Sequence, residues 1–187
     1  HVKHFSYTVL DVLLLGRTPY LPYYGRPDAS DVGMVESILE TFQMTHLRDR
    51  DYTQLSGGET QMVMIMRSLV QDTPVIIMDE PTAHLDFKHE LVVLETMARL
   101  VSEQQRTLIM ATHFPNHGFY FENEGIPTQV VFMHGTNVSL GGPPSRALTR
   151  ENLARFYRVD TALVKYDVPG KGEIKQVIPI KTMGEDV

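Results

Sequence analysis

Three absences narrow the functions open to this chain of 187 residues. It contains no cysteine, which fits a protein kept in a reducing compartment. No apolar run approaches the roughly 20 residues that cross a bilayer as a helix, so any membrane association is expected to come through partners. Acidic residues outnumber basic ones, and the net charge of −6 argues against a nucleic-acid surface, which normally has a basic face.

The residues that are present describe an ordinary globular protein. Hydrophobic residues make up 42% of the chain and charged residues 21%. These are normal values for a folded domain, and the length supports one domain with a sizeable core.

A glycine-bearing turn opens a helix at Leu55-Ser56-Gly57-Gly58-Glu59. Ser56 and Glu59 have the S-x-x-E spacing of a capping box before the apolar run 62–70. Glycines let an anion approach the backbone, and the free amides and dipole of a helix N-terminus attract phosphate. The spacing alone favours an ordinary helix start, but the full LSGGE run, with Gln61 and Arg67 behind it, favours a phosphate site.

A short apolar strand ending in two carboxylates follows further along the chain. Residues 75–78 are too few for a helix and predict a strand buried on both faces, as in a parallel sheet. Carboxylates at the end of such a strand lie where open α/β sheets bind ligands. Asp79 is placed to hold Mg²⁺ through water, and Glu80 to polarise an attacking water. The alternative is a solvated turn, which the four preceding apolar residues and Pro81 disfavour.

These two motifs resemble the signature motif and the Walker B strand of ATP-binding cassette (ABC) ATPases, and the resemblance covers most of the chain. It implies that residues 83–86 form the D-loop, which communicates between the two ATP sites of a dimer. It also implies that His113, at the end of the apolar run 107–112, contacts the γ-phosphate. The resemblance thus implies metal binding by Asp79, catalysis by Glu80 and His113, and nucleotide contacts by Ser56, Gly57, Gly58, Glu59 and Asp86.

Three further histidines lie close to these motifs. His84, His89 and His117 are expected to be solvated, and no transition-metal site is expected. Thr60 departs from the family pattern, which has a basic residue or glutamine after LSGGE.

No G-x-x-x-x-G-K-[ST] sequence occurs anywhere in the chain. This P-loop would supply a backbone cradle, a lysine and a magnesium-binding hydroxyl. Each charge-assisted hydrogen bond to phosphate contributes about 1.5–3 kcal/mol, so losing three or more weakens binding by roughly a thousandfold or more. These residues alone are therefore expected to bind ATP poorly. Residues 5–9 look like the stretch after the family's Q-loop glutamine, so a carboxyl-terminal fragment of a longer ATPase is expected.

The expected fold is α/β, an incomplete P-loop NTPase-like ABC ATPase domain with a parallel sheet core, a helical subdomain and a C-terminal β-hairpin. We expect the helical subdomain over residues 1–55. The core with the signature helix, Walker B, D-loop and H-loop is expected over 56–140, and the C-terminal helix and hairpin over 141–187. Without a P-loop strand, the core strands are expected to expose pairing edges.

Local signals predict individual elements within this fold. Thr8 is expected to cap a helix over 9–15, and Ser30 or Asp31 a helix that ends near His46. Another helix is predicted over 86–104, because apolar residues recur there at spacings of three and four. The residues expected to pack in the core from that helix are Phe87, Leu91, Leu94, Met97, Ala98 and Val101. A strand is predicted over 129–133, with a turn at 135–137. A helix is predicted over 150–157 behind Thr149, and a hairpin from strands 161–168 and 173–180.

Within the superfamily, three stretches resemble the importer ATPases for iron-siderophores, haem or cobalamin: residues 5–12 with Gly16-Arg17, 112–117 and 141–153. The resemblance implies hydrolysis of ATP with Mg²⁺, a head-to-tail dimer with a second ATPase subunit, and transmembrane permease subunits as partners. It also implies a peripheral position on the cytoplasmic face of the inner membrane and no nucleic acid.

Two alternatives remain. A truncated, non-hydrolytic interaction piece would contribute only its signature face and would show no measurable ATP affinity. The ATPase head of a chromosome-organising or DNA-repair protein shares the LSGG and Walker B elements. That alternative is disfavoured because the chain has neither sustained heptads nor a basic surface.

Overall fold

The computed structural model describes residues 7–134 and 137–184, which form two compact units divided between Ala111 and Thr112. The expected turn residues Gly135 and Thr136, and the start of the stretch 5–9, lie outside the described residues. No described helix combines the length and apolar character needed to span a bilayer. The expected boundaries at residues 55 and 140 stay predictions.

The first unit consists of four α-helices and a two-stranded sheet. Its helices are α1 (Val9–Leu14), α2 (Ala29–Thr41), α3 (Gly57–Val70) and α4 (Phe87–Gln104), with 3₁₀ helices at Leu15–Tyr20, Thr45–Leu47 and Tyr52–Gln54. Its strands are β1 (Val75–Asp79) and β2 (Thr107–Ala111), which pair in parallel as predicted. Helix α1 begins where expected, because the Thr8 side chain accepts the Asp11 amide and the Asp11 carboxylate accepts the Thr8 amide.

Helix α2 begins earlier and ends sooner than predicted. Its cap is Asp28, whose carboxylate accepts the amides of Ser30 and Asp31, so the expectation of a cap at Ser30 or Asp31 was wrong. The Asp31 carboxylate returns to the Asp28 amide and completes a capping box. The helix ends at Thr41 because Gln43 has a φ of 57°, a left-handed conformation that interrupts a right-handed helix.

The C-terminus of α3 is held by the segment that follows α1. Arg17 donates to the carbonyl of Val70 (3.1 Å) and to Asp31 (2.7 Å), and Tyr20 donates to the Gln71 carbonyl (2.6 Å). A cation near the carbonyl end of a helix is favourable because it opposes the helix dipole. A Cβ at Gly16 would lie 2.5 Å from the Arg67 carbonyl, so this close approach requires glycine.

The sheet of the first unit is covered on one face only, so the expectation that β1 is buried on both faces was wrong. Ile76 and Met78 are buried, whereas Val75 and Ile77 are 45% and 73% exposed. On β2, Ile109 is 53% exposed. Among the described residues β1 pairs with β2 alone, and no described layer covers the opposite face. Helices and further strands on both sides are what bury parallel strands completely.

Helix α4 is confirmed, but its buried face is narrower than predicted. Leu94, Met97 and Ala98 are buried, together with Val93. Phe87 is 85% exposed and Leu91 39% exposed, so placing these two in the core was wrong. Both lie in the first turns of the helix. The apolar spacing includes these turns, but the described core packs only against the later part of the helix.

The second unit is built around a long C-terminal hairpin. Its elements are α5 (Pro115–Asn123), β3 (Val130–His134), β4 (Asn137–Gly142), α6 (Pro144–Ala147), α7 (Arg150–Tyr157), β5 (Val159–Val168) and β6 (Gly172–Thr182). Strands β3 and β4 pair antiparallel, as do β5 and β6, which confirms the hairpin. Helix α7 has the predicted bounds, and the Thr149 hydroxyl caps it by accepting the Asn152 amide. The core residues are Phe119, Phe132, Ala147, Leu148, Leu153 and Val177.

Two asparagines of α5 join that helix to β6. The Asn116 side chain donates to the Val177 carbonyl (3.0 Å) and accepts the Val177 amide (2.7 Å). Asn123 makes the same two bonds with Lys175. Each amide side chain thus substitutes for a strand partner at one position, and the backbone groups of Lys175 and Val177 are paired without another strand.

Candidate functional site

The predicted phosphate turn lies at the start of α3, and hydrogen bonds between its own residues fix its conformation. The Ser56 hydroxyl accepts the Glu59 amide (3.3 Å), and the Glu59 carboxylate accepts the Ser56 amide (2.7 Å), which confirms the capping box. Arg50 donates to the same carboxylate (3.1 Å). The bonds with Ser56, and then Arg50 and His46, hold the pKa of Glu59 below its ordinary value. Arg50 was missed from the sequence because it precedes the motif on a separate segment.

The two glycines of this turn are not required by the fold. A Cβ on Gly57 would meet nothing within 4 Å, and one on Gly58 would lie 3.8 Å from the His84 carbonyl, an ordinary contact. Neither residue has a positive φ. Within the described residues, no acceptor is found for either amide. Glycine inside a helix is roughly 0.5–1 kcal/mol less favourable than alanine, so the packing of the described residues does not account for either glycine.

The two predicted carboxylates lie at the end of β1 on a distorted turn. Asp79 is exposed, in register with Ala111 of β2. Glu80 is half-buried with a φ of 44°, a left-handed conformation that costs a non-glycine residue roughly 1–2 kcal/mol. The Glu80 amide donates to the Ala111 carbonyl (3.0 Å), and the Glu80 carbonyl accepts the Ala83 amide (3.1 Å). The strand end is therefore open to solvent but held in a fixed backbone conformation.

One side chain connects the helix of the phosphate turn to the carboxylate turn. Gln61, on α3, donates from Nε2 to the Pro81 carbonyl (3.2 Å) and to the Glu80 carbonyl (3.5 Å). The structure thus brings together the helix that begins at Ser56 and the strand end with Asp79 and Glu80. Sequence reasoning used Gln61 as part of the motif only, because this contact joins residues far apart in the chain.

Asp86 serves as the cap of α4. Its carboxylate accepts the His89 amide (2.9 Å) and lies 2.9 Å from His89 Nδ1. These two interactions, the backbone one first, lower the pKa of Asp86. His84 is exposed and His89 half-buried. A contact between Asp86 and nucleotide stays a prediction.

His113 is the second residue of the second unit and lies two residues before α5. Its ring is exposed and packs on Phe114 with 3.9 Å between centroids. His117 is buried, and its Nδ1 lies 2.9 Å from the Thr112 hydroxyl. The expectation that His117 is solvated was wrong, because α5 turns this residue inward, one position from the Asn116 contact with β6. His113 belongs to a different unit from Glu80, and its role stays a prediction.

The donor set at the strand end is compatible with a nucleotide-bound magnesium ion. The described residues hold no cluster of three or more His, Asp or Glu that would bind a metal by themselves. Mg²⁺ does not require one, because it takes one or two carboxylates and completes its shell with water and phosphate oxygens. The exposed Asp79 carboxylate is a ligand of this kind. The residues present therefore fit Mg²⁺ that arrives with a nucleotide.

Comparison with known proteins shows similarity to ABC transporters. A family model for ABC transporters matches residues 6–83. An uncharacterized ABC transporter ATP-binding protein of Haemophilus influenzae is 35% identical over 164 residues, which is 88% of this chain and 60% of the relative. The petrobactin import ATP-binding protein of Bacillus anthracis is 39% identical over 153 residues, which is 82% of this chain and 54% of the relative. Other relatives bear the names of import ATP-binding proteins for ferric hydroxamate, hemin, cobalamin and molybdate.

Solved structures confirm the predicted fold. A protein assigned to the metal-chelate type of ABC transporters, in an inward-facing conformation, matches with a TM-score of 0.80 at 26% identity over 97% of this chain and 70% of that one. Two dimeric cassettes share the fold with TM-scores of 0.61 and 0.62. The chain spans about 60% of the length of the curated relatives. In its fold, its matched motifs and these relatives, the chain is therefore similar to the ATP-binding domains of ABC transporters.

Proposed function

We propose that this chain is part of the ATP-binding subunit of an ABC importer, in which hydrolysis of ATP drives uptake of a metal chelate or a related compound. Glu80 acts as the general base, Asp79 binds Mg²⁺, and His113 stabilises the γ-phosphate. The signature turn, defined as residues 56–59, faces the phosphates of an ATP molecule that a second ATPase subunit holds. The cofactors are ATP and Mg²⁺.

The observation that carries this proposal is the pair of glycines in the signature turn. Both amides lie free at a helix N-terminus, next to open space that an alanine would partly fill. A helix N-terminus with free amides attracts phosphate through hydrogen bonds and through the helix dipole. The Glu59 carboxylate does not compete with phosphate for these two amides, because it accepts hydrogen bonds from the Ser56 amide and from Arg50.

The strand end supports the chemical step. A general base has to lie within hydrogen-bond reach of the attacking water, and a half-buried carboxylate on a fixed turn meets that need better than a mobile one. Asp79, one residue earlier and exposed, is free to take a different role. Phosphoryl transfer depends mainly on positioning and on charge stabilisation, which these two carboxylates and the metal would provide.

A complete site needs components beyond these 187 residues. The chain has no P-loop sequence, so we propose that other residues supply the phosphate cradle and that a second ATPase subunit joins head to tail. Transmembrane permease subunits complete the transporter, and the ATPase subunits lie at the cytoplasmic face of the inner membrane. The relatives' names favour iron chelates, haem or cobalamin as the transported class.

The test is replacement of Glu80 by glutamine in the protein at its full natural length. Loss of a general base lowers the rate by about 10²–10⁴-fold, so Glu80→Gln should nearly abolish hydrolysis of Mg·ATP while ATP-dependent dimerisation persists. Glu95→Gln, the same change at an exposed position of α4, is the control and should hydrolyse ATP like the wild type.

Two outcomes would contradict the proposal. Normal hydrolysis by Glu80→Gln would remove Glu80 from the catalytic role. A wild-type protein that neither hydrolyses ATP nor dimerises with it would instead support the non-hydrolytic interaction piece.

A further inference from the structure

We propose that Gln61 is a positioning residue for Glu80. Its side-chain amide holds the backbone of the Glu80–Pro81 turn and so sets the direction in which the Glu80 carboxylate points. This inference rests on the proposed function, in which Glu80 activates the attacking water, and assigns to that site a residue that acts without touching nucleotide.

The turn at Glu80 needs external support because its backbone is strained. A non-glycine residue with a φ of 44° keeps that conformation only when surrounding contacts impose it. On the amide side of Glu80, the support comes from the sheet, through the 3.0 Å bond to the Ala111 carbonyl. On the carbonyl side, no strand continues. The Ala83 amide donates to the Glu80 carbonyl at 3.1 Å, but among the described residues no backbone amide donates to the Pro81 carbonyl, which a side chain has to hold.

Gln61 is the side chain that holds the Pro81 carbonyl and adds a second bond to the Glu80 carbonyl. Its Nε2 donates to the Pro81 carbonyl at 3.2 Å and, more weakly, to the Glu80 carbonyl at 3.5 Å. Pro81 is buried, and as a proline it has no backbone amide through which the turn could make a further hydrogen bond. Loss of the Gln61 donors would therefore leave the buried Pro81 carbonyl without this bond, and the turn would relax.

Gln61 is itself held firmly. It lies on α3 five residues after Ser56, in a helix whose first turn is closed by the capping box. The next residues on this helix, Met62 and Val63, are fully buried. A donor on such a rigid element positions its acceptor well, whereas a donor on a loop would move with it. A misplacement of about 1 Å in a reacting group lowers a rate by up to roughly a hundredfold.

The experiment compares three variants of the protein at its full natural length, with ATP hydrolysis measured over a range of Mg·ATP concentrations. Gln61→Met removes both donors but keeps the length and the helix preference of the side chain. Gln61→Lys restores a donor of similar reach. Gln104→Met makes the same chemical change at the exposed end of α4 and is the control.

We expect Gln61→Met to lower kcat about tenfold with KM for ATP within about twofold of the wild type, because the base is displaced while binding is kept. ATP-dependent dimerisation should persist. Gln61→Lys should recover most of kcat, and Gln104→Met should match the wild type. A purely structural role would instead lower Tm, kcat and dimerisation together.

The inference is overturned if Gln61→Met keeps the wild-type kcat, or if kcat falls only in step with dimerisation and Tm. If Gln61→Met fails to fold, the test is Gln61→Lys alone. A folded Gln61→Lys variant with a kcat far below that of the wild type also overturns the inference. Glu80→Gln is measured in parallel, so that failure of the proposed function can be distinguished from failure of the role of Gln61. If Glu80→Gln hydrolyses ATP normally, the proposed function fails. If Glu80→Gln is inactive while Gln61→Met is fully active, only the role of Gln61 fails.

Discussion

The signature turn and the end of strand β1 lie in the same unit, but they differ in which residues fix their backbone conformation. The signature turn is closed by residues within it, since Ser56 and Glu59 satisfy each other's amides. The end of β1 belongs to a sheet with one uncovered face, on which Ile77 is 73% exposed. Its backbone depends on bonds from β2 and from Gln61. The first half of the site is therefore local, and the second depends on tertiary contacts.

This difference explains which half of the site is robust. A capped helix backed by buried side chains keeps its geometry whatever happens at distant elements. A strained turn at the edge of a small sheet keeps its geometry only while each supporting bond is present. Substitutions in the two regions should therefore differ in how far their effects spread.

The largest effect should come from the packed side of α3. Met66 is fully buried, whereas Met64 on the same helix is 37% exposed. Met66→Ala should lower the free energy of unfolding by about 2–5 kcal/mol, because it removes buried methylene groups and leaves a cavity. Met64→Ala should change it by less than about 0.5 kcal/mol. Equal losses in urea-induced unfolding would show that the packing of this helix differs from that described.

The cap of α3 should have the next largest effect. Ser56→Ala removes the acceptor of the Glu59 amide and should cost about 1 kcal/mol of unfolding free energy. Ser30→Ala, in the first turn of α2, is the control, because Asp28 caps that helix. A cost at Ser30 as large as at Ser56 would contradict a specific capping role.

Acid should weaken the signature turn through Glu59. The pKa of Glu59 is lowered from its ordinary value of 4.5 by the Ser56 bonds and by Arg50 and His46. A carboxylate with a lowered folded pKa stabilises the fold above its unfolded pKa, and this contribution is lost as pH falls through the folded value. Glu59→Gln keeps an acceptor at this position, so its cost at neutral pH should be smaller than that of Ser56→Ala.

The check is urea-induced unfolding of wild type and Glu59→Gln at several pH values. The difference in unfolding free energy should shrink as pH falls below 4.5. A difference that stays constant into acid would exclude the carboxylate charge as its source.

The smallest effect should come from the uncovered face of β1. Ile77→Thr keeps a β-branched residue at a position that is 73% exposed, so it should change the unfolding free energy by less than about 0.5 kcal/mol. Ile76→Thr, at a position only 7% exposed, buries a hydroxyl and should cost more than about 1 kcal/mol. A large loss at Ile77 would show that this face is covered in solution.

The parts of the molecule that follow local rules were predictable from the sequence. Ser56 and Thr8 were recognised as helix caps because a capping side chain and the amide that donates to it lie within a few residues of each other. The parallel pairing of β1 with β2 followed from the resemblance to the family. The C-terminal hairpin was visible as alternating residues around a Pro-Gly turn.

Most of the missed features depend on residues distant in sequence. The exposure of Phe87 and Leu91 and the burial of His117 depend on where the core ends, which periodicity does not reveal. The contact of Gln61 with Pro81 spans 20 residues, and no local pattern indicates it. The cap at Asp28 was missed for another reason, since several acidic and hydroxyl residues stand close together there.

The most direct test of the central claim is a single substitution, Gly57→Ala, assayed for both stability and hydrolysis. Because its Cβ would meet nothing within 4 Å, the variant should be as stable as the wild type or up to about 1 kcal/mol more stable. Its kcat in the protein at full natural length should nevertheless fall at least about tenfold, because the added methyl group obstructs the approach of phosphate to the free amides. Undiminished hydrolysis by a stable Gly57→Ala variant would contradict the claim that the signature turn faces nucleotide.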